Sequence, residues 1–233
     1  MKSSDAKWDF IENVVYINLD KRTDRREHME KMTSCFGDKV HRFSAIEDVV
    51  GIRGCAKSHI AVLEMALDNN WKNVLVLEDD AEWNDSDKGY LVLKDIVKKK
   101  YDVIILGGNK IKCYEKSYKL ISSWTTVGYL INNDYFSTLL ENFKEGLDKN
   151  INEGKTHENA LDIYWNKLQI KDNWYTTLPV CIYQKASYSD IENMDVDYSN
   201  DMLSSINLIS EIDKKVNSYK SPRKLLTFLK QYN

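Results

Sequence analysis

The chain is poor in the residues that punctuate or staple small folds. Two prolines and nine glycines in 233 residues leave no low-complexity linker, and no internal repeat divides the chain. The four cysteines, Cys35, Cys55, Cys113 and Cys181, form no CxxC pair and match no paired-histidine spacing. That argues against a structural zinc site and against a secreted disulfide framework, and favours free thiols in a reducing compartment. No apolar run approaches the roughly 20 residues that span a bilayer, and the opening MKSSDAKWDF lacks the apolar stretch of a signal peptide. A soluble, cytoplasmic protein is therefore expected. A formal charge of -3 supplies no basic footprint for a nucleic-acid partner. A small-molecule or glycan partner fits the balance better.

What is present is enough apolar material, 42% of residues, to bury a core in a chain of this length. Val14 to Ile17 reads as a buried strand, followed by a polar turn at Asn18 to Thr23. Met29, Met32 and Phe36 mark a helix ending near Gly37, and Val40 to Phe43 a weak strand before a loop holding Gly51 and Gly54. Ile60, Leu63 and Leu67 predict a helix over Ser58 to Asn69. Val74 to Leu77 is the strongest strand and runs directly into Glu78-Asp79-Asp80. A helix over Gly89 to Lys99 and a strand at Val103 to Leu106, stopped by Gly107-Gly108, come next. Later elements are a strand at Tyr129 to Ile131, a helix opened by Asn132 or Asn133, a helix from about Thr156 to Leu168, and a strand at Thr176 to Ile182. The tail, Leu203 to Tyr232, predicts two amphipathic helices. Strands alternating with helices suggest parallel βαβ units in an open sheet.

Ligands of such sheets bind outside the carboxyl ends of the strands. Three polar clusters stand there: Asn18 to Arg25, Glu78 to Asp80, and Gly107-Gly108-Asn109. The acidic triplet is the sharpest. Adjacent carboxylates repel one another and are costly to desolvate without a cation. A hard divalent metal answers both problems and also takes the diphosphate oxygens of a nucleotide.

The motifs then carry a resemblance. Ile17-Asn18-Leu19 with Arg22 and Arg25-Arg26, Gly54-Cys55-Ala56-Lys57-Ser58-His59, and Val74 to Asp80 occur in the order and spacing of glycosyltransferase family 25. Thr126 to Ile131, Leu161-Asp162, and Gln184 with Ser187 and Ile191 resemble its later segments, so the likeness runs from about residue 12 to 192. It implies an α/β, GT-A-type Rossmann-like domain over 1–197, with a mostly parallel twisted sheet flanked by helices. Residues 198–233 would form a helical extension packed on it. The family resemblance implies inverting transfer of a hexose, galactose favoured and glucose possible, from a UDP-sugar to a hydroxyl of a glycan or hydroxylated side chain. Mn2+ or Mg2+ is the implied metal.

By position in the family pattern, Asp80 is the principal metal ligand, and Glu78 and Asp79 hold metal-bound water or ribose. Asn18, Leu19, Arg22 and Arg25 lie at the nucleotide end, where an arginine fork can grip phosphate. Ser58 and His59, read as opening a helix, sit where free N–H groups favour an anion; His59 holds either the nucleotide or the acidic loop, and Lys57 is a weaker diphosphate ligand. Asp162 is the expected base for the attacking hydroxyl, with Glu158 as substitute. No histidine follows His157, so Gln184, Ser187 or Asp190 are candidates to complete the metal shell. Trp124 or Trp174 is a candidate sugar platform. Two other functions use the same triplet: a metal-dependent phosphohydrolase or nucleotidyltransferase, and a non-catalytic glycan- or nucleotide-binding module.

Overall fold

The structure is a computed structural model that describes residues 5–154 and 157–210. In chain order, β1 (Asn13–Asn18), α1 (Thr23–Met32), β2 (Val40–Ser44), α2 (Gly51–Asp68) and β3 (Asn73–Glu78) come first. Then follow β4 (Ala81–Trp83), α3 (Asp87–Ile96), β5 (Val103–Tyr114), β6 (Leu120–Asn132) and α4 (Phe136–Glu153). The last elements are short: α5 (Leu161–Tyr164), α6 (Asn166–Gln169), β7 (Trp174–Thr176), β8 (Ile182–Gln184), β9 (Ser187–Ser189), β10 (Met194–Val196), α7 (Ser199–Ser204) and β11 (Asn207–Ile209).

The main sheet has the order β11-β5-β6-β3-β1-β2, with β7 also on β5. β1 pairs in parallel with β2 and β3, and β5 with β7 and β11; β6 alone runs against its neighbours β3 and β5. The expected mostly parallel sheet is therefore present. Alternate residues of each strand feed opposite faces, as the two-residue strand period requires. Val15, Val74, Val76, Val103 and Ile105 join a core under α2 and α4, while Val14, Leu75, Leu77, Ile104 and Leu106 join a second core under α1 and α3. The connection from β1 reaches β2 on one side, and the next crosses back through α2 to β3 on the other. β1 is thus the strand at which the winding reverses, the place where open α/β sheets form a crevice.

Several boundaries differ from the sequence expectation. α2 starts at Gly51, seven residues before Ser58, because Gly54 is a packing glycine rather than loop punctuation: a Cβ there would lie 2.6 Å from the Ile46 carbonyl. Ser58 ties the same crossing, its Oγ donating to the Gly54 carbonyl and accepting from the Ile46 N–H, both at 2.8 Å. Gly107 and Gly108 do not end β5. The strand continues through them, bulged against β6, with the Ile182 and Trp124 carbonyls 2.3 and 2.8 Å from where their Cβ atoms would be. The helix expected from Thr156 is two single turns, α5 and α6, with Glu158 in an exposed turn before them. The expected strand at Thr176 to Ile182 is split between β7 and β8, which pair with different partners. Of the C-terminal helical pair, residues 203–210 hold the end of α7 and then β11, an edge strand on β5; the remainder, 211–233, lies outside the described residues. Among the described residues no helix is long and apolar enough to cross a membrane.

Gly54→Ala should cost about 1–3 kcal/mol of stability, since the clash is with backbone and either α2 or the 46–48 segment must shift. Urea unfolding checks this; an unchanged midpoint would show that the crossing gives way freely.

Candidate active site

The crevice at the carboxyl ends of β1, β2 and β3 holds a cavity of about 200 Å³. Its lining includes Leu19, Arg25, Cys55, His59, Glu78, Asp79, Asp80 and Gln184, together with Asp48, Asp190 and Ile191. The acidic triplet, Arg25 and Gln184 thus meet in one place, although more than a hundred residues separate the last from the rest.

Each carboxylate of the triplet has its own partners. Asp79, 7% exposed, accepts from Asn18 Nδ2 at 2.8 Å and from Arg25 Nη1 at 2.6 Å. Glu78 Oε1 accepts from Thr126 Oγ1 at 2.5 Å and lies 3.4 Å from His59 Nε2. Desolvation pushes the Glu78 carboxyl up, but the His59 and Thr126 hydrogen bonds and the Arg25 charge outweigh it, leaving it below the usual range. Asp80, also 7% exposed, accepts from Gln184 Nε2 at 2.9 Å, and its Oδ2 lies 3.1 Å from Arg25 Nη1. Burial, then the Glu78 charge, push its carboxyl up to about 7. Its Oδ1 is buried with no hydrogen-bond partner among the described residues.

A buried carboxylate oxygen without a hydrogen-bond partner suits a cation ligand. The oxygen-rich set at Asp80 fits a hard divalent ion, so the residues present agree with the metal implied by the family resemblance. Asp80 is the residue best placed to hold it, because its Oδ1 has no other partner among the described residues.

Other expected residues support the site rather than face a ligand. Asn18 is 1% exposed and spans the Asp79 carboxylate, the Arg22 carbonyl and Arg42 Nε. Arg22 is spent on Asp24, Asp190 and the Tyr188 carbonyl, anchoring the segment that closes the crevice. Lys57 pairs with Asp48 at 2.5 Å. Ser58 and His59 lie in the third turn of α2, not at its start, so their N–H groups are not the free donors expected of a helix N-terminus. His59 is fully buried, with Nδ1 2.9 Å from the Tyr129 hydroxyl and its ring stacked on Tyr129. Its Nε2 lies 3.4 Å from Oε1 of Glu78, the first residue of the acidic triplet. Ser187 receives Arg25 Nη2 at 2.7 Å.

Asp162 lies outside the cavity wall but within electrostatic reach of Glu78 and Cys55. Its Oδ2 accepts from the Thr125 N–H at 3.0 Å, and burial raises its carboxyl above the usual range. Thr125 has φ 76°, a left-handed conformation that a β-branched residue rarely adopts. Such strain concentrates at functional sites. Trp174 is fully buried against Trp165 and Tyr135, so it is core and not a sugar platform. Trp124 is partly exposed, with Lys110 Nζ 3.6 Å from its ring centre. Sequence reasoning missed Thr126, Tyr129 and Arg42 as supports of the triplet. Their only signal was a polar atom at the end of a strand, which becomes informative once pairing places it beside Glu78 or Asn18.

Comparison with known proteins agrees with the motifs. Residues 50–153 match the family described as glycosyltransferase family 25 (LPS biosynthesis protein), the family the motifs resemble. That stretch runs from the start of α2 to the end of α4 and is under half of the chain. Asn18, Arg25, Asp162 and Gln184 lie outside that span. No curated protein matches the chain in sequence. Among solved structures, a glycosyltransferase involved in the glycosylation of the major capsid of PBCV-1 is 13% identical, with 70% of this chain and 80% of that one covered at a TM-score of 0.45. The glycosyltransferase GlyE of Streptococcus pneumoniae TIGR4 is 14% identical, with 71% and 45% covered, at 0.41. A nucleoside-diphosphate-sugar pyrophosphorylase from Vibrio cholerae RC9 is 11% identical, with 90% and 78% covered, at 0.41. The chain spans under half the length of GlyE. The observed architecture is a mixed α/β sheet flanked by helices.

The raised Asp80 carboxyl has a consequence for metal-free stability. Between about pH 4, where an unfolded Asp titrates, and about 7, the folded state holds a proton that the unfolded state has lost, so stability falls as pH rises through this window. Asp80→Asn should therefore stabilise the metal-free protein at pH 7, by on the order of 1–4 kcal/mol, with the gain vanishing near pH 4. Urea midpoints of both proteins across that range test it; a gain independent of pH contradicts it.

Proposed function

We propose that the protein is an inverting, metal-dependent hexosyltransferase that takes its sugar, galactose by preference, from a UDP-sugar donor. The acceptor is a hydroxyl of a glycan or a hydroxylated side chain. The observation that carries the reading is the buried Asp80 Oδ1, which has no hydrogen-bond partner among the described residues while Glu78 and Asp79 beside it are both engaged. A divalent ion bound there would draw charge from the donor diphosphate as the glycosidic bond breaks.

The chain's own residues divide the remaining work. Arg25, with two nitrogens already among carboxylate and hydroxyl oxygens, balances the triplet's charge before donor and ion arrive. Gln184 orients Asp80 from β8, because β8 pairs antiparallel with β4 and sets Gln184 opposite Ala81. His59 and Thr126 keep Glu78 ionised and in place. Asp162 takes the proton from the attacking hydroxyl. Its raised carboxyl makes it a better proton acceptor, while the Thr125 N–H fixes one oxygen and leaves the other for the substrate. Leu19 lines the crevice where the nucleotide base would lie, and cytoplasmic action on a soluble donor is consistent with this chemistry.

A thermal-shift and donor-hydrolysis panel of UDP-, GDP- and CMP-sugars, each with manganese and with chelator, tests this. One UDP-sugar should stabilise the protein and be hydrolysed slowly, and both effects should vanish with chelator or in Asp80→Asn. Asp162→Asn should keep the donor-dependent stabilisation and lose transfer by at least about 100-fold. Donor binding without any turnover would point to a non-catalytic module, and phosphate release without sugar transfer to a phosphohydrolase.

A further inference from the structure

One group of side chains in the crevice wall, beside the oxygen-rich position at Asp80, brings together sulfur, nitrogen and oxygen donors. Cys55 and His59 stand four residues apart on one face of α2. Glu78, at the end of β3, faces both. Cys55 Sγ, His59 Nε2 and a Glu78 carboxylate oxygen all lie within 4.8 Å of one another.

The separations decide between two readings. His59 Nε2 to Glu78 Oε1 is 3.4 Å and Cys55 Sγ to Glu78 Oε1 is 3.9 Å, both at the outer edge of hydrogen-bond lengths. In a tetrahedral zinc site with bonds of about 2.0–2.3 Å, adjacent donor atoms sit about 3.3–3.6 Å apart. The His59–Glu78 separation matches an edge of such a tetrahedron and the Cys55–Glu78 separation exceeds one by a few tenths of an ångström, while both are long for hydrogen bonds. The groups behind the donors are also those of a built site: the Tyr129 hydroxyl engages the other nitrogen of His59 at 2.9 Å, and Thr126 Oγ1 donates to Glu78. Partners that fix a ligating imidazole and a ligating carboxylate in this way set ring orientation and tautomer.

We propose that Cys55, His59 and Glu78 form a three-ligand site for zinc or a chemically similar borderline cation such as cobalt(II). A sulfur, nitrogen and oxygen donor set suits such ions and not magnesium or manganese, which take oxygen. The site is thus separate in kind from the position at Asp80. Because all three residues line the crevice, its fourth coordination position opens toward the cavity, where water or a ligand oxygen can enter. Binding displaces the Cys55 thiol proton to solvent. Sequence spacing hides the site, since its third ligand comes from a different element. The assignment stands apart from the transferase reading and survives if no sugar donor is ever found.

The test is cobalt(II) titration of the metal-free protein, followed by its absorption spectrum. A thiolate-to-cobalt charge-transfer band should saturate at one equivalent, disappear on adding zinc, be absent in Cys55→Ser and persist in Cys35→Ser. Tyr129→Phe, which keeps the ring and removes the hydroxyl, should weaken binding by about 10-fold or more. Should Cys55→Ser fail to fold, alkylation of the wild type read by peptide mass decides: zinc must protect Cys55. The proposal is overturned by cobalt binding with no thiolate band, by a band unchanged in Cys55→Ser, or by Cys55 alkylation indifferent to zinc.

Discussion

Three consecutive carboxylates cannot leave water together unless each finds a compensating group, because their mutual repulsion grows as the surroundings lose polarity. Most of the crevice follows from meeting that condition. Asn18 and Arg25 serve Asp79, His59 and Thr126 serve Glu78, and Arg25 with Gln184 serves Asp80. These partners arrive from β1, α1, α2, β6 and β8, so nearly every element around the crevice contributes one. The compensation is complete for two of the three. At Asp80 one oxygen is left over and the carboxyl is held close to neutrality, which is the condition a divalent ion would reverse.

The fold supplies this arrangement through its one reversal of winding. Crossing from β2 through α2 to β3 puts the ends of three parallel strands side by side, with α2 lying over them. Gly54 lets α2 approach the 46–48 segment closely, and Ser58 fixes the crossing with two hydrogen bonds. That brings Cys55 and His59, one turn apart, over the end of β3. On the far side the short β4–β8 pairing is the only way a residue as late as Gln184 reaches Asp80 among the described residues.

Much of the frame was legible in the sequence because apolar runs ending in polar clusters are local signals. The strands at Val14 to Ile17, Val74 to Leu77 and Val103 to Leu106 lie where their patterns predict, and Glu78 to Asp80 emerges at a carboxyl end as read. The glycines misled. Gly51 and Gly54 read as loop and Gly107-Gly108 as a stop, because sequence cannot tell a glycine that turns from one that lets a carbonyl approach. The arginines show the other limit. Arg22 and Arg25 look alike in sequence, yet Asp190 and Asp24 occupy Arg22 while Arg25 reaches the triplet. Which it would be depends on the 187–191 segment, far along the chain. The family pattern points to Asp162, whereas its place beside the strained Thr125 depends on how β6 folds against α5.

The central claim is that the spare oxygen of Asp80 marks the place of a divalent cation. The most direct measurement is the anomalous scattering of crystals grown with manganese and UDP. The account predicts one strong peak within about 2.5 Å of Asp80 Oδ1. A peak elsewhere, or UDP bound with no ion while Arg25 still spans Asp79 and Asp80, would contradict it.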